Sequence, residues 1–253
     1  MAWKILRSGK FDRIISTGAG VAIPFLSVGR LLRMECHYIE SAARADGPSF
    51  TGRVAAQLPG VHLYTQYEHW VDDRWTFRGS LFDRFEATEV VPQQIRRVVV
   101  TLGTMRTYQF RRAVDRLRKV LPVVTGSGAE VLWQLGVTDG SGLGGDVRSS
   151  VPNVELRDRI KHADLVIAHS GIGSAITALE LGKRPVLLPR RSRFDEHVDD
   201  HQQLIAGELS RRSLAVTAEA DEVNPEDLMR AATHQVTLSG TSRPFTLVSG
   251  SAR

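Results

Sequence analysis

The sequence predicts an α/β protein whose two halves each build a parallel sheet. Short apolar runs alternate with helix-patterned stretches along both halves. Val98 to Val100 and Leu165 to Ala168 are apolar without interruption, as strands covered on both faces require. Between the halves, FEATEVVPQQIR (Phe85 to Arg96) is polar and holds Pro92, the composition of a boundary. The expected division is a domain over 1–90, a linker over 91–96, a second domain over 97–235 and a flexible tail over 236–253.

The first half opens on a basic amphipathic stretch, MAWKILRSGKF, read as a short helix leading to a strand over Arg13 to Ser16. Thr17, Gly18 and Gly20 then turn the chain, glycine supplying the backbone freedom, into a helix reaching Arg33. Strands follow at His37 to Glu40 and Val61 to Gln66. In the second half VVVTLGT (Val98 to Thr104) is a strand and its loop, and VLWQLG (Val131 to Gly136) is the next strand. The strand LVIA (Leu165 to Ala168) runs into a turn at Gly171 and Gly173, and Ser174 opens a helix ending near Gly182. A further strand precedes the polar loop of Arg190 to Gln203.

The stretch from Ala168 to Gln202 carries the chemistry. Small residues at a helix start after a buried strand let a ligand reach unpaired N–H groups, and the helix dipole favours a diphosphate there. The spacing is not a dinucleotide fingerprint, because a third glycine would stand at Ile176. Downstream, Arg190, Arg191 and Arg193 offer cations, while Glu196, Asp199, Asp200, His201, Gln202 and Gln203 offer partners for sugar hydroxyls. The alternatives are a strand-end turn and a solvated charge run. His197 and His201 stand four apart, but Val198 occupies the glutamate position of an H-E-x-x-H site, and no metal or other cofactor is expected.

HSGIGS, the G-K-R-P turn at Gly182 to Pro185 and EHVDDHQ, in this order after VVVTLGT and VLWQLG, resemble the donor half of the family 28 glycosyltransferases. The resemblance implies two Rossmann-like doubly wound domains facing a cleft, the GT-B type. It implies transfer of a sugar from a UDP-sugar to a polyprenyl-diphosphate-linked acceptor, at the cytoplasmic face of the cell membrane. Donor diphosphate would fall on Ser170, Gly171, Gly173 and Ser174, approached by Gly103 and Thr104, and sugar hydroxyls on Asp200, His201, Gln202 and Gln203. His169, Arg190, Glu196 and His197 complete the expected donor set. Many relatives place a ribose-binding glutamate where this chain has Thr177, and Glu180 lies on a neighbouring helix face.

The first half, from IISTGAG through HYIESAARADG to LYTQYEHW, resembles the membrane-recruiting partner subunit of two-subunit dolichol-linked UDP-GlcNAc transferases and of bacterial exopolysaccharide pairs. The chain thus reads as a fusion, with Thr17, Gly18, Gly20, Glu40 and Arg44 on the acceptor side. An ordinary ion pair is the alternative for Glu40 and Arg44. Against that resemblance the opening strand and base-bearing loop of the domain are expected to be missing from this sequence, either because its start is placed too late or because another chain completes the sheet, and no catalytic base is assigned. A second copy or a complementing chain is the expected remedy for the incomplete sheet.

Composition adds limits. The chain has 253 residues, 42% of them hydrophobic, and a formal net charge of +5. Its one cysteine, Cys36, excludes an internal disulfide and is expected in the core. No run reaches membrane-spanning length. The basic surface suits anionic lipid headgroups, with Trp3 and the leucines of Leu31 to Arg33 alongside. Nucleic acid is not an expected partner, since no basic stripe is interleaved with aromatics; Tyr64, Tyr67, Trp70 and Trp75 read as packing residues. Two other classes stay open, a nucleotide-sugar epimerase and a non-catalytic binding subunit.

Overall fold

Alternation along the β-branched run Arg-Ile-Ile-Ser turns Ile14 to one side of the first strand and Ile15 to the other, and only the first is buried. A computed structural model describes residues 1–9, 11–91, 94–240 and 245–248; Lys10 of the N-terminal stretch and Pro92 of the expected linker lie outside them. The described chain divides into two units, Met1–Arg84 with residues 245–248, and Phe85–Gly240.

The first unit runs α1 (Ala2–Ser8), β1 (Arg13–Ser16), α2 (Ala22–Leu31), β2 (Glu35–Ile39), α3 (Phe50–Ala56), β3 (Val61–Thr65) and β4 (Trp75–Phe77). Its four-stranded sheet has the order β1-β2-β3-β4, all parallel. Ile14, Cys36, Tyr38, Val61, Leu63 and Trp75 turn to one face and pack with Leu26 and Ala55. Helix α2 sits so close that a Cβ on Gly29 would meet Ile14 Cδ1 at 2.3 Å and Cys36 Sγ at 2.9 Å. Cys36 is therefore a core residue. On the other face His37 stacks on His62 with centroids 5.1 Å apart, and its Nδ1 lies 2.8 Å from the Tyr64 hydroxyl. Residues 245–248 return to this face: Val248 N donates to Tyr64 Oη at 3.0 Å and Phe245 meets the Tyr64 ring edge-on.

The second unit contains β5 (Phe85–Glu89), β6 (Ile95–Thr101), α4 (Arg111–Val124), β7 (Thr125–Gln134), β8 (Asp146–Arg148), α5 (Asn153–His162) and β9 (Leu165–His169). It continues through α6 (Ile172–Glu180), β10 (Val186–Leu188), α7 (His201–Arg211), β11 (Val216–Thr217), α8 (Pro225–Ala232) and β12 (His234–Leu238). Six parallel strands take the order β11-β10-β9-β6-β7-β8. The uninterrupted apolar runs have the reason expected of them. Val98, Val100, Leu165 and Ile167 pack on one side with α4 and α8, while Val99 and Val166 pack on the other with Ile160 and Ala178.

The division falls at Phe85, ahead of the 91–96 segment, because β5 pairs antiparallel with β12 over Phe85↔Leu238 to Glu89↔His234. Residues 236–238, placed in a tail by the sequence, belong to that pair. The expected tail is thus partly built into both units.

Candidate functional site

The sheet order reverses between β6 and β9: the chain leaves β6 for β7 on one side and β9 for β10 on the other. Doubly wound sheets bind ligands outside the carboxyl ends of the strands at such a switch point. Here those ends carry Leu102-Gly103-Thr104 and His169-Ser170-Gly171.

His169 stands between the two glycines. A Cβ on Gly103 would come within 3.1 Å of its ring, and one on Gly171 within 2.4 Å of its Nε2. Gly103 also takes φ +91, a conformation that side-chain-bearing residues rarely adopt. The Nδ1 of His169 lies 3.4 Å from the Thr101 carbonyl. Burial above all, then the neighbouring Arg190 and the nearby His197, push its pKa down to about 4. The ring is uncharged at neutral pH, and with Nδ1–H given to Thr101, Nε2 turns its lone pair towards Gly171.

Gly171 caps α6 in an extended conformation, so the helix begins at Ile172, two residues before the Ser174 start read from sequence. The N–H groups of Ile172, Gly173 and Ser174 belong to the first turn and lack intrahelical partners. A Cβ on Gly173 would meet nothing within 4 Å. Ser170 is buried, and its Oγ has no hydrogen-bond partner among the described residues. Unpaired donors, a positive dipole end and open space together accommodate an anion. Thr177 turns its hydroxyl back to Gly173 O at 2.8 Å, and Glu180 pairs outward with Arg157 at 3.3 Å. Neither side chain stands in for the ribose-binding glutamate.

The loop after β10 is held largely by contacts within the chain. Arg190, expected to meet phosphate, is 1% exposed and stacks on Phe110. Its guanidinium donates to the carbonyls of Leu102 (2.7 Å), Glu196 (3.0 Å), Tyr108 (3.2 Å) and Gln109 (3.3 Å). It ties the loop after β6 to the loop after β10. Glu196, expected to meet hydroxyls, is gripped by both arms of Arg112 at 3.2 and 3.1 Å and accepts from Arg191 N at 3.0 Å. Asp200 holds Ser192 through its N–H at 2.9 Å and its Oγ at 3.0 Å, and buried Gln202 accepts from Arg190 N at 3.1 Å. Gln203, exposed, contacts Arg191. His197 and His201 converge on Asp199.

Sequence reasoning missed Arg112, Phe194 and Gln134. Arg112 also pairs with Glu219 at 3.2 Å and lies over the Phe194 ring at 4.3 Å. Gln134 donates to Thr101 Oγ1 at 2.9 Å and accepts from Val151 N at 2.9 Å, fixing the ends of β6 and β7. Their signals were slight: the second arginine of a pair opening an amphipathic helix, and one polar residue ending an apolar strand.

In the first unit Thr17, Gly18 and Gly20 form a largely exposed turn at the carboxyl end of β1. Glu40 is 2% exposed, and its carboxylate accepts from Ser41 N at 3.0 Å, Ser49 N at 2.9 Å and Ser49 Oγ at 3.0 Å. It closes the loop that leads into α3, while Arg44 N donates to Ser41 O at 2.9 Å within the same loop.

Known proteins resemble this chain in the same terms. The UDP-N-acetylglucosamine-N-acetylmuramyl-(pentapeptide) pyrophosphoryl-undecaprenol N-acetylglucosamine transferase of Prochlorococcus marinus (strain NATL1A) is 27% identical over 226 residues, covering 82% of this chain and 60% of the relative. The UDP-N-acetylglucosamine transferase subunit ALG13 of Yarrowia lipolytica is 40% identical over 70 residues, 27% of this chain and 34% of that protein. The chain therefore spans about 60% of the length of the first of these relatives. MurG of Acinetobacter baumannii superposes with a TM-score of 0.58 at 17% identity, covering 90% of this chain and 67% of that one. SnogD of Streptomyces nogalater gives 0.58 at 19% identity, covering 91% and 66%. These structures share the fold, parallel-sheet α/β units of the Rossmann type. Residues 97–239 match the glycosyltransferase family 28 C-terminal domain, and on that match the chain belongs to glycosyltransferase family 28.

Proposed function

We propose that this chain moves a sugar from a UDP-sugar to a polyprenyl-diphosphate-linked acceptor, in cell-surface polysaccharide or glycolipid synthesis at the cytoplasmic face of the membrane. One observation carries the reading: two glycine turns at the sheet's switch point enclose a neutral histidine beside an open helix N-terminus. As the sugar departs, negative charge gathers on the β-phosphate. The dipole of α6 and the N–H groups around Gly173 and Ser174 are aimed where that charge develops, and the Ser170 hydroxyl stands beside them. The Arg190 strut keeps the two loops in register, and Gln203 is the exposed amide available to sugar hydroxyls. Attack by the acceptor hydroxyl also needs a proton acceptor, for which this chain gives no assignment.

The N-terminal helix supports action at a lipid surface. Met1, Trp3 and Ile5, with Phe11 shortly after the helix, are exposed large apolar groups, and Lys4 and Arg7 lie among them. Among the described residues no helix is long and apolar enough to cross a membrane.

Incubating the purified chain with a UDP-sugar and a polyprenyl-diphosphate-linked sugar tests the proposal: transfer supports it. Binding of UDP-sugar without turnover favours a second reading, a donor-binding subunit completed by another chain. The likeness to a protein named as a transferase subunit favours that alternative.

A further inference from the structure

Asp199 stands between two imidazoles. His197 Nδ1 lies 3.1 Å from Asp199 Oδ1, and His201 Nδ1 contacts the same oxygen. The rings meet edge to face, 5.1 Å between centroids and 88° between planes. One ligand atom from each of the three residues falls within 4.8 Å of the others. Spacing alone sets His197 and His201 as helix neighbours with Val198 at the glutamate position, which points to no metal. His201 in fact begins α7 while His197 precedes it in the loop, and the turn between them brings Asp199 to their common side.

We propose that His197, Asp199 and His201 form a binding site for a first-row divalent cation of the zinc type. Zinc takes imidazole nitrogen and carboxylate oxygen at about 2.0–2.2 Å in tetrahedral geometry, which sets two ligand atoms roughly 3.3 Å apart. The 3.1 Å between His197 Nδ1 and Asp199 Oδ1 is close to that spacing, and the His201 imidazole, in contact with the same oxygen, has to swing back to admit the ion. Two imidazole nitrogens and one carboxylate oxygen make a borderline donor set that suits zinc better than magnesium or calcium. The loop is held beforehand: Asp200 binds Ser192, and Glu196 is clamped by Arg112. His197 is 9% exposed at its side chain, and Asp199, 44% exposed, gives an approach from solvent. Three protein ligands leave the fourth position of the ion open to water or to a ligand atom.

The site does not depend on the glycosyltransferase reading, and neither does its test. The metal-free full chain, carrying no histidine tag, is titrated calorimetrically with zinc alone. One zinc per chain is expected, with affinity at least tenfold weaker in His197→Ala and in Asp199→Asn. His162→Ala, whose imidazole pairs with Asp158 on α5, should bind as the parent does. Thermal melts identify any variant that fails to fold, and His201→Gln then takes its place. Cobalt(II) gives an independent readout, since a tetrahedral site confers visible absorption that the variants should lose. No zinc uptake, or equal affinity in the parent and the folded variants, overturns the proposal: the three side chains would then be an internal hydrogen-bonded cluster. A parallel UDP titration separates this failure from failure of the donor site.

Discussion

Gly173→Val separates the ligand from the fold. Gly173 is the second residue of α6, and a Cβ there meets no atom of the other described residues within 4 Å beyond its own helix backbone, so the larger side chain enters open space. Glycine and valine differ by only a few tenths of a kcal/mol in helix propensity, and folding stability should stay within about 0.5 kcal/mol of the parent. A diphosphate on the first-turn N–H groups would meet the two γ-methyls directly. Losing one charge-assisted hydrogen bond costs about 1.5–3 kcal/mol, which is roughly a tenfold to hundredfold loss of UDP affinity. Calorimetric titration with UDP, alongside a urea melt, reads both numbers. Unchanged UDP affinity in a folded variant refutes the phosphate site at α6. Gly171→Ala makes the contrast, because its Cβ would press on His169 Nε2 at 2.4 Å and should disturb fold and ligand together.

Three other outcomes follow from the same geometry. Arg190→Met leaves four main-chain carbonyls without their donors and should lower stability by about 3 kcal/mol or more; a loss below about 1 kcal/mol in urea unfolding would mean that water replaces the guanidinium. His169 binds its proton near pH 4 in the folded chain against 6.5 unfolded, so its contribution is full above 6.5 and shrinks as pH falls towards 4, by at most about 3 kcal/mol. His169→Gln should flatten that part of the stability profile, and an unaltered profile contradicts the assignment. Vesicles with anionic lipid should retain the chain at low salt and release it at high salt, with Trp3→Ala weakening retention; salt-independent retention contradicts a screened surface attraction.

What was legible in the sequence was whatever depends on neighbours in the chain. Val98 to Val100 and Leu165 to Ala168 had to be apolar on both sides, so the central strands could be read at once. The glycines at 103 and 171 marked close approach, although the object approached within the chain is His169 rather than a ligand alone. The internal contacts of the polar loop were not legible, because a charged side chain looks the same in a sequence whether it meets a ligand or another residue. Arg190 finds carbonyls as far away as Leu102, and Glu196 finds Arg112, partners that only the folded sheet brings near. The pairing of β5 with β12 is equally non-local, which is why His234 to Leu238 did not stand out as a strand.

A diffraction structure of the chain soaked with UDP tests the central claim most directly. The account predicts the diphosphate against the N–H groups of Gly173 and Ser174, with His169 and Gly103 beside it at the carboxyl ends of β6 and β9. Another cavity competes for an anion: the concavity of about 490 Å³ at the opposite end of the sheet, where Arg97, Lys161, His162 and Lys183 outnumber the carboxylate of Asp164. Diphosphate found there, with the α6 N-terminus empty, would contradict the account.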